Sequence, residues 1–572
     1  MCRSENIGIP PLRTSTKLCA TGPDKAEALN EYFQSVFTQE QPYPLPQKEK
    51  SPYPTIGHLH IHRTGVEKQL RNLNPAKAHG PDELPPKLLK IVAHEIAPAL
   101  SFLFQQSHNC GVVPTQWRQA LVTPIHKSGV KSDPANYRPI SLTCICCKVM
   151  EHIVLSHISK HLAANNILTE AQHGFRQQLS TTTQLTSVVH DWSSTLQKRS
   201  QVDAVFLDFQ KAFDRVPHKR LDIKLEYYGI IGDSKAWIMS LLSGRKQAVV
   251  VDGSQSSWRD VTSGVPQGSV IGPTLFLLYI NDIQDNTKCT VRLFADDCVI
   301  YREIRNDEDH LFIQSDLEYL SAWSSNWLMN FNIKKCAILS ITRKRKPRIY
   351  QYLLLNEVIP RVDQYKYLGV TITADLRWEK HCQTIRHKAS RTLGLLRRTL
   401  PSCSSEVKSK AYTALVRPQL EYGSEAWNPH NVTTINGLEK IQKTAARFVC
   451  SDYRKSTSSE SLISSLKWDS LHTRRLLAQC TLFYKIQYQQ VAVPFPAVVL
   501  PAAYHGRYDH NLKYTVPAAT IDIYKFSFFP RVIRIWNHLP SHAVNIQGTD
   551  NFKEAALPVL RTMQPHVGSS VL

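Results

Sequence analysis

The segment Leu293-Phe294-Ala295-Asp296-Asp297-Cys298-Val299-Ile300 sets two adjacent carboxylates between apolar, β-prone runs. A hairpin would carry both acids at its tip. Charge beside an apolar strand is costly unless it is solvated or holds a cation. For one such segment alone, a solvated Asp-Asp turn is the ordinary explanation. A second apolar run, Val205-Phe206-Leu207, ends on Asp208. If the two strands are neighbours, Asp208 and Asp296 share divalent ions, with Asp297 beside them. Hard oxygen donors at strand ends suit Mg2+, which keeps waters and substrate phosphates in its shell. Two such ions stabilise the attacking and leaving oxygens of an in-line phosphoryl displacement. Between the two runs lies Ser263-Gly264-Val265-Pro266-Gln267-Gly268-Ser269, ahead of an apolar helix. Two glycines and a proline make a tight turn that a base or template can approach closely. Taken alone it is a helix-entry loop.

The elements that must position these groups show in the hydrophobic pattern. Residues 25–37 repeat Ala28, Leu29, Tyr32, Phe33, Val36 and Phe37 at helical spacing, and a stretch with Pro42, Pro44 and Pro46 reads as a linker. Residues 86–106 predict a helix, and 120–125, 202–207, 248–251 and 291–294 predict strands, with a helix around 275–282. The mixture reads as α+β to about Val370 and as mostly helical beyond Trp378. The length, 572 residues, suggests three to five domains. No internal repeat is visible.

Composition narrows the class. Hydrophobic residues at 42% and charged residues at 20% suit a folded chain rather than a disordered one. The net charge of +22 points to a polyanionic partner. It is concentrated: residues 334–447 carry 22 Lys+Arg against 8 Asp+Glu. The run Arg343-Lys344-Arg345-Lys346, with Arg348 after it, is either a nuclear address or a flexible basic turn. The apolar stretch 271–280 is too short to span a bilayer, and Met1-Cys2-Arg3-Ser4-Glu5 lacks a signal-peptide core. Thirteen scattered cysteines suit a reducing compartment. Cys144 and Cys147 form one CxxC pair with His152 nearby, where buried helix cysteines are a better expectation than zinc.

Together, FLDFQKAFDRVPH, SGVPQGSVIGPTLFLLYIND and FADD, in this order, resemble motifs A, B and C of reverse transcriptases, specifically those of non-LTR retrotransposons (long interspersed elements) of the jockey kind. The resemblance runs over nearly the whole chain. Gly80-Pro81-Asp82-Glu83-Leu84-Pro85 with Leu88-Leu89-Lys90 is similar to the N-terminal finger extension. Pro124-Ile125-His126-Lys127 and Asn136-Tyr137-Arg138-Pro139-Ile140-Ser141-Leu142 are similar to the finger motifs. Gln172-His173-Gly174-Phe175-Arg176 with Ser180-Thr181-Thr182 resembles the segment typical of this lineage. Residues 327–335 and Tyr367-Leu368-Gly369-Val370 resemble motifs D and E. Residues 415–423 and Phe528-Phe529-Pro530-Arg531 continue the match.

The resemblance implies a right-hand α+β polymerase with fingers, an antiparallel palm sheet, a helical thumb and a mainly helical C-terminal domain. The implied boundaries are 1–55 extension or linker, 56–115 finger extension, 116–345 fingers and palm, 346–450 motif E and basic thumb, and 451–572 C-terminal domain. Asp208, Asp296 and Asp297 are the implied catalytic, metal-holding carboxylates, for two Mg2+ ions with Mn2+ as an alternative. Lys335 is the implied proton donor to pyrophosphate, with Lys334 the adjacent choice. Lys127 and Arg138 would hold the triphosphate, and Gln267 and Gly268 would position nucleotide and template. Phe213, five residues after Asp208, would be the aromatic gate against a 2′-hydroxyl; Asp214 is an orienting or a surface acid. Arg386, Lys388, Arg391, Arg397 and Arg398 fit a thumb that grips a duplex by its phosphates.

The expected reaction is RNA-directed DNA synthesis from a primer 3′-hydroxyl during retrotransposon replication. Its partners would be an RNA template, a DNA primer and dNTPs, with element RNA in a ribonucleoprotein assembled in the cytoplasm and acting in the nucleus. The rivals are a catalytically silent, domesticated RNA-binding protein and a two-metal nuclease. Relatives usually carry an upstream endonuclease, for which the stretch before the finger extension leaves no room, so the chain is expected to be a fragment. No ribonuclease H-like acid set follows the thumb. In the C-terminal region Tyr453, Trp468, Arg474, Arg475 and Trp536 serve either template RNA or helix packing.

Overall fold

Seven consecutive buried residues, Gln201–Leu207, form an inner strand of a four-stranded antiparallel sheet. In the computed structural model its order is Ala337–Ile341, Gln201–Leu207, Asp297–Ile304, Thr290–Phe294. A strand paired on both edges and covered on its faces reads as a continuous apolar run, which explains the lack of alternation in Val202 to Leu207. Its one carboxylate, Asp203, accepts hydrogen bonds from Gln201 Nε2 (2.9 Å), Ser340 Oγ (2.6 Å) and the Tyr352 hydroxyl (2.9 Å). A buried acid is tolerated when it is satisfied in this way. Helix Thr181–Gln197 begins with a capping box of Ser180 and Thr183, and its Trp192 meets Phe206 and Tyr301 edge-on.

The described residues are 8–15, 17–40, 44–504, 506 and 509–563. The chain start read for a signal peptide, through residue 7, and Pro42 of the expected linker lie outside them. Two compact units are interleaved along the chain: Met1–Phe175, Asp208–Thr287 and Leu317–Asn332 form one, and Arg176–Leu207, Lys288–Asp316 and Ile333–Leu572 form the other. Each unit is built from three separate segments of the chain.

The second unit contains the four-stranded sheet. It continues into a hairpin, Gln364–Tyr367 with Val370–Thr373, whose turn residues Leu368 and Gly369 have φ of 45° and 86°. Two positive φ values are those of a type I′ turn, one of the favoured two-residue hairpin turns. Tyr365 stacks on Phe206 at 3.9 Å. After Trp378 the named elements are helices, among them Glu379–Thr399, Val432–Cys450, Leu471–Gln487 and Phe528–Trp536. A separate apolar cluster around Phe483, Trp536 and Phe552 forms the C-terminal core.

The first unit contains a five-stranded sheet in the order Tyr137–Leu142, Gln119–His126, Arg245–Val251, Ser254–Gln255, with Arg259–Val261 also paired to Arg245–Val251. Helix Gly22–Ser35 packs Ala26, Leu29 and Phe33 with Val122, Val249 and Val251. The spacing of these residues puts them on one helical face. The helix expected over 25–37 is therefore part of a folded core. The helix expected over 86–106 is two, Pro86–Ile91 and Ala93–Asn109, broken at Val92. Cys146 and Cys147 are buried in the first turn of helix Ile145–Ala164.

Candidate active site

Thr290–Phe294 and Asp297–Ile304 pair with Phe294 opposite Asp297, which leaves Ala295-Asp296 as a two-residue turn. Ala295 takes a φ of 52° to close it. Asp296 is half-buried in the turn, and Asp297 is exposed at the start of its strand. In the same sheet Cys298 lies opposite Leu207. Asp208 is the next residue of the chain after Leu207, and its carbonyl accepts from the Asn332 amide at 2.7 Å. Phe209 bridges to Phe331, their rings stacked at 4.6 Å.

The first unit assembles a second group of expected residues around Asp214. Gln267 Nε2 donates to Asp214 Oδ1 at 2.8 Å, and the Gln267 carbonyl accepts from the Ser141 amide at 2.7 Å. Burial pushes the Asp214 carboxyl up to about 6, against the pull of the Gln267 bond and of Lys211. Gly268 has a φ of 111°, and a Cβ there would stand 2.6 Å from the Ser141 carbonyl oxygen. Gly264 is as constrained: its φ is 88°, and a Cβ would stand 2.7 Å from the Asp214 carbonyl oxygen. Both glycines are thus required by conformation and by close approach. The Val265 amide donates to the Phe213 carbonyl at 2.7 Å, and His218 Nε2 donates to the Gly264 carbonyl at 2.8 Å. The loop of motif B and the turn of motif A are therefore laced together by their backbones.

Phe213 stacks on Phe276 at 4.5 Å and meets Phe175 edge-on at 6.1 Å. Such pairs hold a ring rigid and are worth ~0.5–1.5 kcal/mol beyond area burial. Phe175 itself is 59% exposed with a φ of 54°. A large exposed aromatic held in a left-handed conformation is the kind of strain that gathers at functional sites. Lys127 and Arg138 are both exposed at one end of the hairpin of Gln119–His126 and Tyr137–Leu142: Arg138 lies opposite Ile125, and the Lys127 amide donates to the Asn136 carbonyl at 2.8 Å. The apolar helix Gly272–Ile280 has an acid at its start that sequence reasoning missed. The buried Glu151 carboxylate accepts from the Val270 and Ile271 amides at 2.7 and 3.1 Å. Burial raises Glu151 above the usual carboxylate range while those two amides pull it back. An acid at a helix N-terminus is favoured by the dipole and the open N–H groups.

In the second unit Lys334 and Lys335 sit exposed in a short turn, Ile333–Lys335. The basic helix Glu379–Thr399 exposes Lys388, Arg391, Arg397 and Arg398. Arg397 also lies over the Tyr453 ring at 5.7 Å. Arg386 departs from the expected stripe: it is half-buried against Gly437 of helix Val432–Cys450, where a Cβ would stand 2.7 Å from its guanidinium. It lies three residues before the buried Ala389, on the seam side of the helix. Further along, Trp536 and Arg475 are fully buried, Arg474 pairs with Glu421, and Trp468 stacks on Tyr412 at 4.6 Å. These residues serve packing, which leaves Tyr453 as the exposed aromatic of that group. No helix among the described residues is long and apolar enough to cross a membrane.

Residues 125–372 match the family model described as reverse transcriptase (RNA-dependent DNA polymerase). The chain is 31% identical over 395 residues to the probable RNA-directed DNA polymerase from transposon X-element of Drosophila melanogaster, covering 65% of this chain and 42% of that protein. It is 30% identical over 400 residues to the RNA-directed DNA polymerase from mobile element jockey of the same organism, covering 67% of this chain and 43% of that protein. The chain thus spans less than half the length of these relatives. Among solved structures, apo telomerase from Candida tropicalis, truncated from its C-terminal domain, aligns with a TM-score of 0.34 at 12% identity, over 49% of this chain and 59% of that one.

Proposed function

From a chain that carries a reverse transcriptase domain and is homologous to the polymerases of jockey-type non-LTR retrotransposons, we propose an RNA-directed DNA polymerase that extends a primer 3′-hydroxyl with deoxynucleotides during retrotransposon replication. One observation supports it most: the two-residue turn carrying Asp296 and the strand that ends before Asp208 belong to one register, with Leu207 opposite Cys298. In this reading the four-stranded sheet is the palm, the five-stranded sheet belongs to the fingers, and the helices from Glu379 onward are thumb and C-terminal domain.

Among the described residues no group of three His, Cys, Asp or Glu side chains is placed to hold a metal unaided. The donor set still fits Mg2+, because hard carboxylate oxygens from Asp208, Asp296 and Asp297 need only one or two contacts per ion when water and triphosphate oxygens complete the shell. Bound there, two ions would stabilise the oxygens that attack and leave. The protein's own residues do the rest. Lys127 and Arg138, at the finger hairpin's end, neutralise the triphosphate. Phe213, held by Phe276 and Phe175, lies under the sugar and excludes a 2′-oxygen. Gln267 and Gly268 position nucleotide and template, in a loop where Gly268 leaves no room for a side chain against Ser141. Lys335 supplies a proton to the leaving pyrophosphate. Lys388, Arg391, Arg397 and Arg398 grip template–primer phosphates without reading sequence. The active form would be a ribonucleoprotein with element RNA, assembled in the cytoplasm and working in the nucleus. Purified protein with Mg2+, an RNA template, an annealed DNA primer and dNTPs should extend the primer to the template end; no extension under these conditions overturns the reading.

A further inference from the structure

Residues 36–40, which follow helix Gly22–Ser35, make a series of hydrogen bonds to the turn that carries Phe213 and Asp214. The Val36 carbonyl accepts from Arg215 Nε at 3.2 Å. Thr38 Oγ1 donates to the Arg215 carbonyl at 2.7 Å. The Thr38 amide donates to Ser263 Oγ at 2.8 Å, and Ser263 Oγ donates in turn to the Asp214 carbonyl at 2.8 Å. The Glu40 carboxylate accepts from the Lys219 and Arg220 amides at 3.0 and 3.1 Å, the open first-turn donors of helix His218–Tyr227, and from the Arg220 guanidinium at 2.9 Å. One turn earlier, Lys211 Nζ lies 5.1 Å over the Tyr32 ring. The motif A turn is therefore tied at both its ends and at its middle by one short segment from far upstream in the chain.

This lacing has a physical consequence. The turn needs a left-handed residue, Lys211, with a φ of 48°, and it ends at a helix whose first amides have no partner of their own. A bare turn of this kind would sample several arrangements, and the ring of Phe213 and the Asp214–Gln267 bond would move with it. Ser263 and Thr38 fix the two successive carbonyls of Asp214 and Arg215, while Glu40 supplies the missing helix cap. Their bonds go to backbone atoms, apart from the Glu40–Arg220 pair, so they hold position within the protein.

We infer that Thr38, with Val36 and Glu40, is a positioning residue for nucleotide selection: the segment sets the placement of Phe213 and of the motif B loop beneath the incoming sugar. The inference rests on the polymerase reading above. A loosened turn should bind dNTP less well and reject rNTP less well, with the chemical step itself little changed.

The test compares Thr38→Val, which keeps shape and the amide but removes the hydroxyl donor, with Thr38→Ser, which restores it. Loss of one neutral hydrogen bond should raise the KM for dNTP about three- to tenfold, lower the dCTP over CTP preference by a similar factor, and leave kcat within about twofold. Exchange of the Gly264 and Val265 amides, which donate to Val216 and Phe213, should speed up in Thr38→Val and return to wild-type values in Thr38→Ser. Three results overturn the inference: unchanged KM and exchange in Thr38→Val, a fall in kcat at constant KM, or a lowered melting temperature with KM and exchange untouched. If the wild type extends no primer, the polymerase reading fails, and the exchange comparison still decides whether Thr38 holds the turn.

Discussion

Replacing Asp214 with Asn should make the protein more stable at neutral pH and erase one step of its pH dependence. The carboxyl is buried and elevated to about 6, whereas in an unfolded chain it titrates near 4. The folded protein therefore keeps this proton over a window where the unfolded chain has released it. Between about pH 4 and 6 the folded state binds more protons, so stability falls as pH rises, and above that window the full cost is in place. Two pKa units amount to ~3 kcal/mol, with the opposing pull of the Gln267 bond already included. The Asn side chain fits the same space, and its carbonyl accepts the Gln267 hydrogen bond as Oδ1 of Asp214 does at 2.8 Å. The measurement is a pair of melting curves at pH 4.5, 6 and 8 for both proteins. For a cooperative unit of 150–250 residues, ~3 kcal/mol corresponds to roughly 6–12 °C. Asp214→Asn should gain most of that at pH 8 and only about a third of it at pH 4.5. Parallel melting at all three values would refute the assignment of a buried, elevated carboxyl in the motif A turn.

Phe213→Val should admit ribonucleotides: the ratio of kcat/KM for dCTP over CTP should fall, each tenfold step being ~1.4 kcal/mol of lost discrimination, and an unchanged ratio in an active variant makes Phe213 a core residue only. Replacing Arg391, Arg397 and Arg398 with Gln should weaken binding to all template–primers alike and reduce the log–log salt slope by ~0.7–0.9 per lost phosphate contact. Arg386→Gln should leave that slope unchanged and lower thermal stability instead, because its guanidinium is packed over Gly437; a change of slope there contradicts the burial.

The pieces that were legible in the sequence are those whose signal is local. The hairpin at Asp296 is written in two apolar runs and two acids, and the structure makes it a two-residue turn. The strand Gln201–Leu207 and the motif B loop are as compact, and Gly264 and Gly268 stand where only glycine fits. What could not be read depends on partners far away in the chain. Thr38 meets Ser263, and Glu151 caps the helix after Ile271, each across more than a hundred residues. No periodicity or composition reports such pairs. The helix over 25–37 was legible from its spacing, but its partners Val122 and Val249 for Leu29 and Phe33 were not. Arg386 shows a different limit: a basic run reveals charge, but helical phase decides which members reach solvent.

The most direct test of the central claim is primer extension by Asp208→Ala and Asp296→Ala proteins beside wild type, with template–primer binding measured in parallel. The metal-holding role predicts that each substitution abolishes extension while binding stays largely intact, because the carboxylates serve transition-state charge and the basic helices supply the grip. Full-length products from either variant at the wild-type rate would contradict it.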